Sequence, residues 1–323
     1  MRIGVVTVLL RDLPLTEALD YLSSIGVQDL EIGCGAYPGN EHCNAQELLA
    51  SDEKRAEFQE AIESRGLNLS ALAMHGNPIH PNAEIAERHI AEERDAILLA
   101  EKFGVETVVG FSGCPGDHEG AKYPNWVTNA WPTDFPAILE WQWETKVIPY
   151  WRESAAFARD HGIHKIALEM HPGFVVYNTE TLLRLRDAVG PEIGANLDPS
   201  HLFWQGIDVP EAVLDIGRAG ALHHFHAKDT RIEPTIARKH GVLDTKSLAD
   251  TSERAWIFRT VGYGHGAEVW RDIVTALRTV NYDGPLSIEH EDALMSPREG
   301  LEKAVRFLRE IIIEQPTSDA YWA

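Results

Sequence analysis

Eight short apolar, β-branched runs, each followed by a longer amphipathic stretch, set the tightest limit on what this chain can fold into. The runs fall at residues 3–8, 29–33, 68–74, 106–111, 165–170, 192–197, 221–227 and 285–289. Each is strand-sized and nearly continuous in apolar character, the pattern of a parallel strand buried on both faces. Helical periodicity spans 14–24, 52–65, 83–103, 147–161, 179–189, 209–218, 268–280 and 297–314. Several of these helices run into a glycine and then the next strand, as in Ile25-Gly26-Val27, Arg65-Gly66-Leu67, Phe103-Gly104-Val105 and His161-Gly162-Ile163. Glycine takes the left-handed conformation of a helix C-cap at little cost. Eight β-α units in series predict an α/β fold, a single (β/α)8 barrel occupying residues 1–323 as one domain. The rival is a doubly wound open sheet, which usually announces a nucleotide site with GxGxxG after its first strand. Here the first strand leads into Leu9-Leu10-Arg11-Asp12, with no glycine run.

Three units are over-long, and the excess falls between a strand and its following helix, at about 34–51, 112–146 and 228–266. Strand-to-helix loops open on the carboxyl face of a barrel, where active sites lie. Padding confined to that face predicts long loops over a covered pocket.

The charge balance narrows the partners. Lys plus Arg number 29 and Asp plus Glu number 50, a formal net charge of −21. Nucleic-acid binding draws on Lys and Arg to displace counterions, so this balance speaks against a nucleic-acid partner. It speaks equally against an anionic membrane surface, and no stretch has the length of a transmembrane helix. The three cysteines, Cys34, Cys43 and Cys114, cannot all pair within the chain and form no CxxC. Neither a disulfide scaffold nor a Cys-ligated zinc site is indicated. With no cleavage signal behind the first apolar run, the expected setting is reducing and cytoplasmic.

Four consecutive barrel strands carry a metal-competent residue at or near the carboxyl end. They read Leu168-Glu169-Met170-His171, Leu197-Asp198-Pro199-Ser200-His201, His224-Phe225-His226-Ala227-Lys228-Asp229 and Ile288-Glu289-His290-Glu291. In a barrel these ends are neighbours on one rim, so Glu169, Asp198, His226 and Glu289 can point at one centre. Three carboxylates and one imidazole form an oxygen-rich set suited to one divalent ion, Mn²⁺ foremost, with Co²⁺, Mg²⁺ or Zn²⁺ as alternatives. Taken singly, a carboxylate at a strand end also reads as a helix N-cap or a salt-bridge partner.

In this order the motifs resemble the sugar isomerase/epimerase group with a xylose-isomerase-like barrel, which includes ketose 3-epimerases, inosose dehydratases and nucleases of the endonuclease IV type. The matching segments are Leu30-Glu31-Ile32-Gly33, His75-Gly76-Asn77-Pro78, Leu168-Glu169, Asp198-x-x-His201, His226-x-Lys228-Asp229, Gly262-Tyr263-Gly264 and Asp283-Gly284-Pro285-Leu286-Ser287-Ile288-Glu289. The resemblance implies that Glu169, Asp198, His226 and Glu289 bind one metal and that Glu169 and Glu289 double as acid/base residues. A metal chelated by adjacent carbonyl and hydroxyl oxygens acidifies the C–H between them and stabilises an enediolate. Two carboxylates can then move the proton, giving epimerisation or aldose–ketose isomerisation. The resemblance also implies that His201 faces the substrate or assists the metal, and that Arg231 binds substrate hydroxyls.

Further candidates for sugar contacts are His75, Asn77, His171 and Trp204, the last as a stacking ring. His80 reads equally as part of the Pro78–Pro81 turn. Glu31 reads either as pointing into the barrel or as a buried carboxylate paired with Lys or His, and His224 as a hydrogen-bonded core residue. The loop aromatics Tyr123, Trp126, Trp131, Trp141 and Trp143 read as a lid or as loop anchors. Two departures matter. The extra metal histidines of the three-zinc nucleases are missing, since the fourth strand ends Gly110-Phe111-Ser112-Gly113. The second glutamate that ketose 3-epimerases place soon after the fifth strand is missing too. The expected function is a divalent-metal-dependent sugar isomerase or epimerase. The alternatives are a lyase or dehydratase acting on a keto-sugar, inosose or 3-keto-glycoside, and a non-catalytic sugar-binding barrel. The expected partners are a small sugar or polyol substrate and either a homo-oligomer or a small partner subunit.

Overall fold

The computed structural model of the chain describes residues 1–315 together with 317 and 322. Positions 316, 318–321 and 323 of the expected 1–323 domain lie outside the described residues. The strands are β1 (Arg2–Val6), β2 (Asp29–Gly33), β3 (Asn68–Ala73), β4 (Thr107–Phe111), β5 (Lys165–Glu169), β6 (Ile193–Leu197), β7 (Leu222–Ala227), β8 (Asp229–Ile232), β9 (Trp256–Arg259) and β10 (Pro285–Ile288). All but β8 and β9 close into a parallel barrel in the order β1-β10-β7-β6-β5-β4-β3-β2. The last strand closes on the first, from Arg2 opposite Pro285 to Val5 opposite Ile288.

The helices are α1 (Leu15–Ser24), α2 (Ala45–Ala50), α3 (Asp52–Glu63), α4 (Ala83–Phe103), α5 (Asp134–Gln142), α6 (Ile148–Asp160), α7 (Thr179–Val189), α8 (Pro199–Gln205), α9 (Val209–Arg218), α10 (Pro234–His240), α11 (Ala267–Thr279) and α12 (Pro297–Ile311). α4 ends as its sequence predicts. Gly104 sits at φ 67° and its N–H reaches the carbonyls of Ala100 and Glu101, a left-handed cap that a side chain would strain.

Strand parity sorts the core into two layers. Leu30, Ile32, Leu72, Val108, Ile166, Leu168, Leu197, Phe225, Leu286 and Ile288 belong to the main apolar core with the helices. Their neighbours in sequence point the other way, because successive side chains on a strand alternate between faces. Ala71, Val109 and Ala167 form a separate small buried cluster. By the same parity Glu31, Glu169, His224, His226 and Ser287 also turn inward. Small residues on β3 to β5 leave room in the barrel for polar groups from β2, β5, β7 and β10.

The three long segments carry structure that the sequence reading leaves as loop. The first contains α2. In the second, α5 continues through a π turn at Trp143–Val147 into α6, so the helix begins at Asp134 rather than near 147. Pro149 has no N–H to donate, and the helix widens just ahead of it. In the third, β8 and β9 pair antiparallel with α10 between them. The base of this excursion is pinned by Asp229, which is fully buried. Its Oδ2 accepts from the backbone N–H groups of Gly262 (3.1 Å), Gly264 (3.1 Å) and His265 (2.9 Å) and from Trp270 Nε1 (3.2 Å). A Cβ at Gly264 would lie 2.4 Å from the Thr230 carbonyl oxygen, so this turn closes around Asp229 only with glycine there.

Candidate metal centre and cavity

Glu169 is the last residue of β5, Asp198 follows β6, His226 is next to last in β7, and Glu289 follows β10. All four share the inward parity. One ligand atom from each lies within 4.8 Å of the others. Asp198 fills two roles at once. Its Oδ1 accepts from the Ser200 N–H at 2.8 Å and caps α8, while Oδ2 turns to the cluster, 3.3 Å from Lys228 Nζ. The N-cap reading and the ligand reading of this residue are therefore compatible.

Two atoms test whether these residues suit a divalent cation. Asp198 Oδ2 and His226 Nδ1 are both buried and neither has a hydrogen-bond partner. Burying polar atoms without a hydrogen bond is costly, and a cation at the centre would give both a direct partner. His226 is oriented for it, because its Nε2 lies 3.1 and 3.0 Å from the two oxygens of Glu31. That leaves Nδ1 facing Glu289 Oε2 at 3.2 Å and Glu169 Oε2 at 3.5 Å. The donor set fits.

Histidines brace Glu169. His75 Nε2 lies 3.0 Å from its Oε2 and His201 Nε2 lies 2.9 Å from its Oε1. Burial raises the Glu169 pKa, but the hydrogen bonds from His201 and His75 and the charge of His226 hold it well below the usual carboxylate range. Glu289 is brought down to about 2: burial works against ionisation, and Lys228 and His226 outweigh it. Lys228 is 2% exposed, with Nζ 2.9 Å from Glu289 and 2.8 Å from Glu291. Burial lowers its pKa, yet Glu289, Glu291 and Asp198 raise it well above the ordinary lysine value. The centre thus sets carboxylates around one buried ammonium and one imidazole.

Above it opens a cavity of about 410 Å³. One wall is acidic, with Glu169, Glu289 and Glu291. The other is aromatic: Phe111 stacks on Phe174 at 4.2 Å, His75 and His171 meet the edge of Phe111, and Tyr37 lies beyond. This two-faced cavity suits a ligand with hydroxyls on one side and an apolar ring face on the other.

Among the residues singled out from the sequence, His75 and His171 line the cavity and His201 braces Glu169. Three lie elsewhere. The amide of Asn77 is spent on the loop after β4, donating to the Cys114 carbonyl at 2.9 Å and accepting from the Cys114 N–H at 3.0 Å. Arg231 is exposed on β8; the alternation there turns Thr230 inward, where its hydroxyl donates to the Ser200 carbonyl at 2.8 Å, and Arg231 outward. Trp204 is buried face to face with Trp256 at 4.8 Å, in the small apolar cluster of the excursion. Its ring packs that excursion and does not line the main cavity. His80 Nδ1 accepts from the Asn82 N–H at 2.9 Å and shapes its turn. Of the loop aromatics, Tyr123 and Trp131 are exposed and Trp126 meets Tyr177 edge-on; none of the five lines the main cavity.

Sequence reasoning passed over the Phe111–Phe174 wall and the central position of Lys228. The signal for Lys228 was present: His224, His226 and Lys228 are two apart and share one face. Glu31 proves to be paired with histidines, as one of its two readings has it.

The family described as Xylose isomerase-like TIM barrel matches residues 19–311. A Bacillus subtilis (strain 168) protein named YfiH, described as uncharacterized, is 40% identical over 314 residues, covering 97% of this chain and 99% of its own. Among solved structures, the probable 3-DHS dehydratase AsbF of Bacillus anthracis superposes with a TM-score of 0.67 at 16% identity, covering 96% of this chain and 99% of its own. The IOLI protein, solved with a zinc atom, gives 0.65 at 17%, covering 97% and 98%. The 3-keto-D-glucoside 4-epimerase YcjR of E. coli gives 0.62 at 14%, covering 96% and 99%. Among the described residues no helix is long and apolar enough to cross a membrane.

Proposed function

The chain belongs to the xylose isomerase-like TIM-barrel family, and from that premise we propose that it is a divalent-metal-dependent enzyme that moves a proton next to the carbonyl of a sugar or polyol-derived substrate, epimerising or isomerising it. The observation that carries this reading is the convergence of Glu169, Asp198, His226 and Glu289 under the cavity, with Asp198 Oδ2 and His226 Nδ1 buried and lacking a hydrogen-bond partner. When bound, one divalent ion would polarise neighbouring carbonyl and hydroxyl oxygens and acidify the C–H between them. The oxygen-rich donor set favours Mn²⁺, with Co²⁺, Mg²⁺ or Zn²⁺ as alternatives; the similar IOLI protein holds zinc.

The chain's own residues divide the remaining work. Glu169 and Glu289 are the proton acceptor and donor, projecting from strands that β6 and β7 separate on the rim. They differ in access: the Glu289 side chain is 23% exposed and that of Glu169 3%. Glu289 is the partner that exchanges its proton with solvent, and Glu169, held on both oxygens by His75 and His201, keeps a fixed direction. The aromatic wall excludes water from the opposite side of the substrate. His171 and His75 line the cavity where its hydroxyls would lie.

A lyase or dehydratase on a keto-sugar or 3-keto-glycoside is the second reading, and Lys228 favours it. Its ammonium, 2.9 Å from Glu289, is a fixed positive charge that would stabilise the oxyanion formed next to an expelled β-hydroxyl, with the Glu289 carboxyl delivering the proton to the leaving group. Elemental analysis of the purified protein is the first test, and about one divalent ion per chain is expected, weakened in Glu289→Gln. Reaction in D₂O with ketoses and keto-glycosides then separates the readings. Deuterium entering a substrate that keeps all its substituents supports epimerisation or isomerisation, whereas loss of a substituent supports the lyase. A protein that takes up no divalent ion would sink both.

A further inference from the structure

Below the metal centre, inside the barrel, lies a carboxylate that the reaction proposed above does not use. Glu31 on β2 is fully buried and reaches across to β7 and β10. Its Oε2 lies 2.8 Å from His224 Nε2 and 2.8 Å from Ser287 Oγ, and both of its oxygens lie within 3.1 Å of His226 Nε2. Among the described residues no lysine or arginine forms an ion pair with it. A buried carboxylate with only imidazole and hydroxyl donors is costly unless positive charge reaches it by another route.

That route runs through His226. With a cation bound and Nε2–H donated to Glu31, the imidazole would carry its lone pair on Nδ1, the buried atom that has no hydrogen-bond partner and faces Glu169 and Glu289. A histidine whose second nitrogen donates to a carboxylate is fixed in tautomer and ring orientation, and its ligating nitrogen becomes more basic. We infer that Glu31 is a positioning residue for the metal centre: it holds His226 with Nδ1 turned to the cation, and the cation in turn offsets the buried charge of Glu31 through the imidazole. This deepens the metal-dependent reading above and rests on it. Ser287 and His224 complete the cradle, because their hydrogen bonds to Oε2 hold the carboxylate within reach of His226. The same three side chains, Glu31, His224 and His226, could instead be taken for a cage around a second ion, since their ligand atoms also lie within 4.8 Å of one another. The hydrogen-bond distances of 2.8–3.1 Å from Glu31 to both histidines favour the relay.

Calorimetric titration of Mn²⁺ into the metal-stripped full-length protein separates these arrangements. Wild type takes one ion, and Glu31→Gln, which keeps the shape but not the charge, binds it about 10–100-fold more weakly. A purely structural role would not predict the next result: in a His226→Asn background, Glu31→Gln adds no further loss, because its effect runs through that ring. If wild type binds one ion and Glu31→Gln binds it equally well, the positioning role is overturned while the metal reading stands. If wild type binds two ions and the variant loses one, Glu31 is a ligand and the relay is overturned. If wild type binds none, the metal reading itself fails. Should Glu31→Gln not fold, heteronuclear NMR of histidine-labelled wild type decides without a variant. A protonated Nε2 and a metal-bound Nδ1 on His226 support the relay, and metal on Nε2 overturns it.

Discussion

The ammonium of Lys228 lies within 3.3 Å of Asp198, Glu289 and Glu291 while its side chain is 2% exposed. Removing one partner from a buried ionic cluster costs more than the cluster contributes, because the survivors stay buried and unpaired. Glu289 and Glu291 retain some solvent access, at 23% and 48%, which tempers the loss. Lys228→Met is therefore expected to destabilise the metal-free protein by about 2–3 kcal/mol. Saturating divalent cation should recover part of that loss, since it supplies positive charge to the same carboxylates. Urea unfolding with and without Mn²⁺ measures both, and an equal loss in the two conditions would contradict this account of the centre. Residue-scale reading of the sequence groups Glu169, Asp198, His226 and Glu289 because their strand ends are neighbours on one rim. It misplaced Asn77, Arg231 and Trp204, whose directions depend on which loop or excursion they pack against.

At the scale of elements, α4 and α6 meet through a carboxyl group where apolar residues would be expected. Glu93 is 3% exposed, with Ser154 and Tyr150 of α6 as hydrogen-bond partners. Burial, only partly offset by those hydrogen bonds, pushes its pKa up to about 7. The folded protein therefore holds a proton that the unfolded chain releases near its ordinary value of 4.5. Stability falls as pH rises from about 4.5 to about 7 and levels off above that, the reverse of a salt-bridged carboxylate. Glu93→Gln should remove this slope and be more stabilising at pH 8 than at pH 5 by about 2 kcal/mol. Denaturant midpoints across that range check it; parallel pH profiles for the two proteins would show that Glu93 is not the titrating group. The excursion between β7 and α11 has its own anchor in Asp229, whose acceptor role explains why His226-x-Lys228-Asp229 and Gly262-Tyr263-Gly264 occur together in one chain. One motif supplies the carboxylate and the other the N–H groups that close on it.

For the molecule as a whole, the candidate metal centre joins side chains from β5, β6, β7 and β10, so an ion bound there would favour the closed barrel over the unfolded chain. At a free Mn²⁺ concentration of about 100 times Kd, the expected gain in unfolding free energy is about 2.7 kcal/mol. The accompanying rise in Tm should vanish on chelation and be much smaller in His226→Asn. A Tm indifferent to Mn²⁺ in wild type would mean that the four strand ends do not share an ion. The aromatic wall of the cavity is also a whole-barrel feature, since Tyr37, Phe111 and Phe174 come from separate segments after β2, at the end of β4 and after β5.

The barrel and its rim are legible along the chain alone. Buried parallel strands are legible as short apolar runs, helix ends as glycines, and parity along each strand sends Glu169, His226 and Glu289 inward whatever the loops do. These signals are local, so they survive in a one-dimensional reading. The interior of the long segments, the stacking of Trp204 on Trp256, the outward turn of Arg231 and the enclosure of Lys228 by three carboxylates are set by contacts between residues far apart in the chain. No local pattern encodes them. The pairing of Glu31 with His224 and His226, 193 and 195 residues away, became visible only once the barrel had brought β2 opposite β7. Side chains of opposite walls meet there because the closed sheet leaves them no solvent to face.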